Sequence, residues 1–397
     1  MISVEEAVER ITRAFVPLPS ERVALEHAAG RVLAANVSAR LDHPPAPMSV
    51  MDGYAVRAGD AVLGATLSVI GEAPAGRPFA GQVEKDQAVR IFTGGVVPDG
   101  ADAVVIQEDT QVVAGGVVIR EAPRAGENVR RKGLDFRVGE ELLPRGRRLT
   151  ARDLALLAAT DFADVEVIRR PRVALIATGD ELSRPGAARK TGGIVASSIY
   201  ALAALVRSWG GEALDLGILP DKPEAFARLP EATEGADLIV TLGGASVGEH
   251  DLVQSALAPH GFVLDFWKIA MRPGKPLIFG RLHKTPLIGL PGNPVSAMVC
   301  AILFLAPALN AMQGTPYRAP LAKARLISPL KANGKRQDYI RAKLSNRDGV
   351  LSAEPFALQD SSMQKIFAAA DALIIRHIDA PAANAGDVVD VLLLERF

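Results

Sequence analysis

The stretch VALIATGDELSRPG, residues 173–186, decides the fold class of the central part of the chain. Its first six residues are apolar or small at consecutive positions, which predicts a short strand buried on both faces. Glycine and two carboxylates follow at once, so the strand is expected to end where an acidic pair begins.

Similar strands and helices alternate from this stretch to about residue 318. IYALAALVRSWG (199–210) predicts a helix closed by glycine, and the strands EALDLGIL and DLIVTLGG are separated by a short helix, PEAFARL. Further strands are predicted around FWKIA, PLIFG and PLIGL, before a helix that begins at Pro294. Because buried strands that alternate with helices form parallel sheets, residues 170–318 predict a parallel α/β domain covered on both faces.

The flanking segments predict β structure and a discontinuous domain. Short apolar runs between Gly and Pro residues predict an inserted β domain over 44–140, and residues 319–397 predict a terminal β domain. The amino-terminal 40 residues are predicted as helix, turn, helix. TARDLALLAA (150–159) predicts a capped helix that returns the chain to them, so 1–43 and 141–169 form one elongated domain. The predicted fold class is multidomain α/β plus β.

Composition excludes several classes of protein. A length of 397 residues predicts roughly two to four domains, and 45 basic against 45 acidic residues gives no net charge to attract nucleic acid. The most apolar stretch, 295–309, is bracketed by prolines and too short to cross a bilayer, so a buried helix is predicted. Cys300 is the single cysteine, which excludes an internal disulfide and indicates a core residue. The amino terminus does not resemble a signal peptide, and a cytoplasmic location is expected.

Asp180 and Glu181 follow the strand of residues 173–178. Ligands of open α/β sheets bind at the carboxyl ends of the strands, and adjacent carboxylates there can hold a hydrated Mg²⁺ ion. A helix cap or a solvated turn would give the same sequence.

The loop TLGGASVGEHD (241–251) follows a second strand. Gly243 and Gly244 would let backbone amides approach a phosphate, Ser246 adds a hydroxyl, and Asp251 could reach a metal. A strand–glycine–helix junction without a ligand is the alternative. The loop is neither a Walker A sequence nor a G-x-G-x-x-G motif.

The loop KIAMRPGKPLIFG (268–280) carries Lys268, Arg272 and Lys275 around a Pro-Gly turn. Cations held by stiff turn residues form a preorganised anion site, although lysines near a turn are often only solvated. GLPGNPVSAM (289–298) places Gly292 and Asn293, after Pro291, before Pro294 at a helix start, which predicts either a second anion-binding terminus or a rigid packing turn.

Three further segments hold candidate residues. Asp221 in DKPEAF is better explained as a helix N-cap from local sequence. Asp52 lies in MDGYAV, where a functional turn and a structural turn would look alike. GENVRRKGLDF contains Arg130, Arg131 and Lys132 before Asp135, a basic cluster that could neutralise a phosphate or oxyanion, though most short basic runs are surface features.

The order of the motifs resembles one family over essentially the whole chain. The matching segments are LEHAAGRVLA, SVMDGYAV, IFTGGVVPDGADAVV, NVRRKGLD, ATGDEL, GGASVGEHD, FWKIAMRPGKP and GLPGNPVS. They resemble the molybdopterin molybdenumtransferase (MoeA) family and the related gephyrin E domain. The combination is far more specific than any single loop.

The resemblance implies an elongated discontinuous domain, an inserted β domain, a central α/β domain like molybdopterin adenylyltransferase, and a carboxyl-terminal β barrel. It implies a homodimer whose active site lies between the α/β domain of one subunit and the inserted domain of its partner. By motif alignment it assigns function to Asp52, Thr93, Arg130, Asp135, Glu181, Asp221, Ser246, Asp251, Lys268, Arg272 and Lys275. Asp221 thus becomes a site residue through the resemblance.

The implied reaction takes adenylylated molybdopterin and molybdate, uses Mg²⁺, and yields molybdenum cofactor and AMP. Molybdate, the substrate, is a dianion and would be bound by the fixed cations Lys268, Arg272 and Lys275 together with Arg341. Mg²⁺ would be held by Glu181 and Asp251 with Asp180 and would polarise the phosphoanhydride. No acid–base catalyst is assigned. Molybdopterin adenylyltransferase and molybdoenzyme chaperones are implied as further partners, whereas nucleic acid and membrane are not.

Two other functions stay open at this stage. The α/β domain alone would suit an enzyme that adenylylates molybdopterin, and a non-catalytic scaffold could retain the whole fold. Departures from the usual family pattern support a divergent member. They are Pro47 and Met48 before the MDGY motif, Ala196 and Ser198 where Asp and Asn are frequent, and Ile366 and Asp371 near the carboxyl end.

Overall fold

The computed structural model describes residues 1–189, 191–243, 252–347 and 349–394, without the side chains of 252–254 and 347. The chain forms two compact units. The α/β–barrel unit comprises Met1–Glu21, Gly30–Val32 and Val167–Phe397. The insert unit comprises Arg22–Ala29 and Leu33–Glu166.

The first part of the chain contributes one helix to the α/β–barrel unit and then builds the insert unit. Its helices and strands are α1 Val4–Arg13, β1 Ser20–Ala24, β2 Val37–Ser38, β3 Met48–Ser49, β4 Gly53–Val56, β5 Thr66–Ala73, β6 Gln87–Ile91, β7 Ala103–Ile106, β8 Thr110–Val113, β9 Gly116–Ile119, β10 Val129–Arg130, β11 Glu141–Leu143, α2 Ala151–Ala159 and β12 Asp164–Ile168.

The insert unit is built mainly on one six-stranded sheet. The strand order is β7-β4-β6-β5-β9-β8, and the short pairs β3–β10 and β2–β11 lie outside it. Fully buried Val56, Leu67 and Val117 belong to one core cluster of this sheet, and fully buried Ala55 and Val89 belong to a second, so the sheet is buried on both faces. The β structure predicted for this part of the chain is confirmed.

The prediction of a second amino-terminal helix is wrong. Residues 20–24 form strand β1, which pairs with β12, and a single 3-10 turn follows at Leu25–His27. Gly30 adopts φ +72°, a conformation that ends a helix. Val32 and Leu33 are nonetheless buried. The apolar spacing therefore identified core residues correctly, but the segment that carries them is extended rather than helical. Helix α1 packs within the α/β core through Val4, Ala7 and Ile11.

The central segment forms an α/β layer. Its helices and strands are β13 Arg172–Thr178, β14 Leu182–Ser183, β15 Ile194–Val195, α3 Ser198–Ser208, β16 Glu212–Leu219, α4 Pro223–Phe226, α5 Leu229–Ala232, β17 Leu238–Leu242, α6 Leu252–Leu257, β18 Phe262–Trp267, β19 Met271–Arg272, β20 Ile278–Leu282, β21 Thr285–Leu290, α7 Pro294–Cys300 and α8 Ala306–Met312.

The central sheet is mixed rather than wholly parallel, in the order β16-β13-β17-β21-β20-β18. The first four strands are parallel, but β20 is antiparallel to both β21 and β18. Only two residues, His283 and Lys284, separate β20 from β21, which is enough for a hairpin and too few for a crossover helix. The fold class is confirmed, with this correction.

The predicted buried helix runs over 19 residues, Pro294–Met312, and is longer than expected. A π-helical segment at Ala301–Leu305 joins α7 to α8 and accommodates Pro307, so the proline does not end the helix. The helix is long and apolar enough to cross a membrane by length and composition alone, yet 72% of its apolar stretch is buried inside the protein. It is a core helix, and Cys300 within it is fully buried.

The carboxyl-terminal segment forms a closed five-stranded barrel. Its elements are β22 Leu321–Leu326, β23 Gln337–Arg347, β24 Val350–Pro355, α9 Gln364–Ala369, β25 Ala372–Arg376 and β26 Val388–Leu393. The ring β23-β24-β22-β26-β25 is closed by pairing of β25 with β23. Strand β19 of the α/β layer adds in parallel to the start of β23.

Candidate active site

A cleft of about 1030 Å³ lies in the α/β–barrel unit, and its lining residues run from Ala177 to Gln364. Thr178 and Leu242, the last residues of β13 and β17, form its floor together with Pro291, the residue after β21. The carboxyl-terminal segment contributes Arg336, residues 359–362 and Gln364. The cleft thus lies at the carboxyl ends of the parallel strands, where the sequence predicted a ligand site.

Carboxylates gather at one part of the cleft. Glu181 and Asp221 line it, and the Asp221 amide donates to Asp180 Oδ1 at 3.4 Å. Partial burial, together with the charges of Glu181 and Asp180, raises the pKa of Asp221 above its ordinary value. The N-cap position of α4 is Lys222 and no side-chain cap bond is made there, so Asp221 is not the cap that local sequence favoured.

The acidic residues described do not by themselves enclose a metal ion. No group of three or more His, Cys, Asp or Glu side chains converges at ligand distance within the described ranges. Gly244, Ser246 and Asp251 lie outside the described residues. Oxygen donors from one or two carboxylates nevertheless suit Mg²⁺, which keeps several waters and takes its other ligands from substrate phosphates.

Lys275 and Arg336 provide positive charge to the cleft. Both line it and are partly exposed. Neither makes an ion pair with a described carboxylate, counting residues 1–189, 191–243, 252–347 and 349–394. Arg336 was missed from sequence; the only signal was its place in the basic run KANGKRQDYIR. The two side chains can therefore attract an anion without first breaking an ion pair seen here.

The other predicted cations are placed differently. Arg272 lines the cleft but forms a two-point ion pair with Asp338, with Nε donating to Oδ1 at 2.9 Å. This pairing raises the pKa of Arg272. Lys268 is not among the lining residues, and its ammonium lies 3.4 Å from the centre of the Trp267 ring.

Arg341 is not among the residues that line the cleft, although it was expected from the sequence to help bind the anion. The residue is 1% exposed; Nε donates to Gln359 Oε1 at 3.0 Å and Nη1 to the Asp360 carbonyl at 2.7 Å. Burial lowers the pKa of Arg341, with Asp360 acting against it. The guanidinium thus fixes residues 359 and 360, which do line the cleft.

The GLPGNP turn joins the helix start to the barrel wall. Asn293 Nδ2 donates to Ser361 Oγ at 2.9 Å, and the Val295 amide donates to the Ser361 carbonyl at 3.0 Å. Gly292 lies near Gly243: a Cβ built on Gly292 would be in ordinary van der Waals contact with the Gly243 Cα, at 3.6 Å. Ser296, a cleft residue on the first turn of α7, is 5% exposed.

The predicted residues of the insert unit gather around strand β3. Asp52 Oδ1 accepts from the Thr93 amide at 2.7 Å and from its hydroxyl at 2.9 Å. These hydrogen bonds lower the pKa of Asp52. Arg130 lies on β10, which pairs with β3, while the exposed Asp135 lies farther along, with its amide bonded to the His43 carbonyl at 2.9 Å.

The departures from the family pattern fall in different places. Ala196 and Ser198 line the cleft, so they change its surface directly. Asp371 is not among the lining residues; it pairs with Lys343 at 3.0 Å and accepts from the Leu344 amide at 3.0 Å. Its role in the structure is to join strands of the barrel.

Comparison with curated proteins gives matches along the whole chain. The chain is 34% identical to the molybdopterin molybdenumtransferase of Haemophilus influenzae over 98% of both chains. It is 38% identical to that of a Nostoc species, over 95% of this chain and 88% of the relative. The chain belongs to the molybdopterin molybdenumtransferase family.

Family models and a solved structure agree with this membership. Residues 2–160 match the MoeA N-terminal region (domain I and II), residues 174–311 a probable molybdopterin binding domain, and residues 323–394 the MoeA C-terminal region (domain IV). The crystal structure of the molybdopterin biosynthesis MoeA protein from Pyrococcus horikosii superposes with a TM-score of 0.88, at 31% identity and 100% coverage of both chains. The predicted resemblance is confirmed.

Proposed function

We propose that this family member inserts molybdenum into adenylylated molybdopterin, a step of molybdenum cofactor biosynthesis. Molybdate and adenylylated molybdopterin are the substrates, and molybdenum cofactor and AMP are the products. The observation that supports this most directly is the presence of both charge types in one cleft, which is lined by Glu181 and Asp221 and also by Lys275 and Arg336. An oxyanion and a metal-bound phosphate need these two environments side by side.

The acidic residues would hold the Mg²⁺ ion that the reaction implies. Partial burial first, and then the charges of Glu181 and Asp180, raise the pKa of Asp221, and a divalent cation would neutralise those neighbouring charges. Glu181 and Asp221 are the proposed ligands, with Asp180 nearby and Asp251 supplied by the loop outside the described residues. When bound, the ion would withdraw charge from the phosphoanhydride that breaks as AMP leaves.

The remaining site residues would bind and orient the substrates. Lys275 and Arg336 would attract molybdate, and Ser361 and the start of α7 line the same cleft. Gly243, Pro291 and Gly292 shape the floor, where the lack of side chains at the glycines leaves room for phosphate. Arg341 would orient Gln359 and Asp360, two residues of the cleft wall, through its hydrogen bonds to them.

We further propose that the protein acts as a homodimer in the cytoplasm, with Asp52, Thr93, Arg130 and Asp135 of one subunit facing the cleft of its partner. The cluster of Asp52, Thr93 and the β3–β10 pair would then receive the anionic substrate from the opposite side. The four domain boundaries expected from the sequence, 1–43 with 141–169, 44–140, 170–318 and 319–397, belong to the same proposal. Molybdopterin adenylyltransferase and molybdoenzyme chaperones are the proposed physiological partners.

One assay tests the activity. Purified full-length protein is mixed with adenylylated molybdopterin, molybdate and Mg²⁺, and AMP release and cofactor formation are followed together. The proposal expects both to depend on molybdate and Mg²⁺. Consumption of ATP with unmodified molybdopterin would instead identify an adenylyltransferase, and tight binding without turnover would identify a scaffold.

A further inference from the structure

The loop that carries Lys275 is held from two sides. The Ala270 amide donates to the Ile2 carbonyl at 2.8 Å, and the Gln337 amide of the barrel donates to the Ala270 carbonyl at 2.8 Å. Within the loop the Ile269 amide donates to the Lys275 carbonyl at 3.0 Å. The loop backbone is therefore fixed by the amino-terminal segment on one side and by the first residues of β23 on the other.

The ion pair of Arg272 and Asp338 adds a side-chain link at the barrel side. The residues are direct partners in the β19–β23 register, and the two guanidinium nitrogens Nε and Nη2 bind the two carboxylate oxygens. The Asp338 side chain is 8% exposed, whereas that of Arg272 is 60% exposed. A two-point pair of this geometry fixes both orientation and distance, and loss of the arginine would leave a buried carboxylate without its cation.

We infer that Asp338 is a positioning residue: by holding Arg272 as a clamp between barrel and α/β layer, it sets the place of the Lys275 ammonium in the cleft. The inference rests on the proposed function, because molybdate is the anion that Lys275 would bind. It changes the role expected for Arg272, since a guanidinium neutralised by a buried carboxylate adds little net charge to the cleft. Lys275 and Arg336 then supply the charge.

Arg272 as a direct anion ligand is the competing role, because its Nη1 is not bound by Asp338. The two roles give opposite expectations for one nearly isosteric change, Asp338→Asn. If Arg272 binds molybdate, removal of the competing carboxylate charge makes the cleft more positive and lowers the KM for molybdate. If the pair is a clamp, the same change loosens the loop and raises that KM.

The test is a double-mutant cycle of Asp338→Asn, Arg272→Gln and both together, in the full-length protein. The clamp predicts that each single change raises the KM for molybdate about tenfold, because small displacements of a binding group have effects of this size or larger. It predicts that the double variant is no worse than either single one, since both remove the same link. The KM for adenylylated molybdopterin should change less than about twofold, which a general loss of structure would not allow.

A second measurement keeps the inference independent of turnover. Hydrogen–deuterium exchange of the peptide covering 268–277 should become faster in Asp338→Asn and in Asp338→Leu, which also removes the remaining acceptor. Asp390→Asn is the matched control, because Asp390 forms an exposed pair with Lys323 elsewhere in the barrel, and it should leave exchange and KM unchanged. Arg272→Lys keeps the charge but not the two-point geometry, so it should behave as a clamp loss.

The outcomes separate the inference from the proposed function. Lower or unchanged KM for molybdate in Asp338→Asn, or unchanged exchange of 268–277, overturns the clamp. A wild-type protein that releases no AMP refutes the proposed function, while faster exchange confined to this loop in the Asp338 variants would still support the clamp.

Discussion

At the scale of single residues, the hydrogen bonds of Asp52 lead to a prediction about its titration. The Thr93 amide and hydroxyl both donate to Oδ1 and lower the pKa of Asp52 below its ordinary value of 3.8. Thr93→Val removes the hydroxyl but keeps the amide, so the pKa of Asp52 should rise part of the way back. A carbon-13 NMR titration of the Asp52 carboxyl measures this, and an unmoved pKa would show that the hydroxyl contributes nothing.

The same pKa shift predicts a dependence of stability on pH. Because the folded-state pKa of Asp52 is lowered, its favourable contribution is present above the unfolded-state value and is lost as pH falls through the folded-state value. Asp52→Ala should therefore reduce the loss of thermal stability on acidification below pH 3.8. Thermal unfolding of both proteins from neutral pH to the acid range checks this, with Asp379→Ala as a surface control.

The pKa of Asp221 is shifted in the opposite direction to that of Asp52, and this shift predicts how Mg²⁺ binding depends on pH. Its pKa is raised by burial and by neighbouring carboxylates, so protons compete with Mg²⁺ for the site at a higher pH than for an ordinary aspartate. The Mg²⁺ concentration for half-maximal AMP release should rise as pH falls towards that pKa. Asp221→Asn should raise it by at least about tenfold at neutral pH, as expected for loss of a metal-site partner.

The control for this prediction is Asp215→Asn. Asp215 also carries a shifted pKa, but it is paired with Arg184 at 2.9 Å and does not line the cleft. Its replacement should leave the Mg²⁺ requirement unchanged. Equal Mg²⁺ requirements in wild type and Asp221→Asn would remove Asp221 from the metal site.

At the scale of elements, the turn at Gly274 predicts a specific steric conflict. Gly274 has φ +109°, and a Cβ there would lie 2.5 Å from Cys300 Sγ and 2.9 Å from Met271 Cε. Gly274→Ala should lower the free energy of unfolding by about 1–3 kcal/mol, through overpacking and backbone strain. It should also weaken molybdate binding, because the turn precedes Lys275.

A second-site change distinguishes packing from strain at this turn. Cys300→Ala removes the Sγ atom and should restore part of the stability lost in Gly274→Ala, while the strain of the positive φ remains. Gly334→Ala is the control, because a Cβ at Gly334 meets nothing within 4 Å. Chemical denaturation of wild type, Gly274→Ala, Cys300→Ala, the double variant and Gly334→Ala measures the effect, and an absence of rescue would show that the contact with Sγ is not the source of the cost.

Helix α2 gives a prediction about capping. Asp153 accepts from the Thr150 amide at 2.8 Å and hydroxyl at 2.7 Å and pairs with Arg147 at 2.7 Å. Burial would raise the pKa of Asp153, but these partners outweigh it and lower the pKa. Asp153→Ala should cost about 1–2 kcal/mol of unfolding free energy in denaturant titrations, whereas Thr150→Ser, which keeps the hydroxyl, should cost much less. Equal losses would contradict the reciprocal cap.

The elements show how far sequence alone determines the fold. The strand over 172–178 and the capped helix over 151–159 were predictable, because continuous burial and capping leave local signatures. The segment 20–34 was not, since its apolar spacing fits both a helix and an extended chain, and pairing of β1 with β12 decided between them. The antiparallel β20–β21 hairpin was missed because the apolar sequence of a buried strand does not show whether it runs parallel or antiparallel to its neighbour.

The site shows the same division. Strand ends and glycine loops predicted where the cleft lies, and Glu181 and Lys275 were found there. The pairing of Arg272 with Asp338 could not be predicted, because the residues are 66 positions apart and meet only through the β19–β23 register. The sequence shows which residues are charged, but only the fold determines which of these charges form ion pairs with one another.

At the scale of the whole molecule, the proposed homodimer predicts complementation between two variants, assayed at a Mg²⁺ concentration that supports AMP release by the wild type but not by Asp221→Asn. Asp52→Asn changes the insert unit and Asp221→Asn changes the α/β–barrel unit. If each active site combines the cleft of one subunit with Asp52 of its partner, a dimer of one variant with the other contains one intact site and one doubly altered site. If each site uses a single chain, every site carries a change and activity stays lost.

The two variants, each with a different affinity tag, are unfolded together, refolded and purified through both tags to isolate the mixed dimer. A statistical mixture before purification should recover about one quarter of wild-type AMP release, because half of the dimers are mixed and each has one of two sites intact. The purified mixed dimer should recover about half. Two variants within the same unit, Asp221→Asn and Glu181→Gln, form the control and should not complement. Activity in the control pair, or none in the test pair, would refute a site shared between subunits.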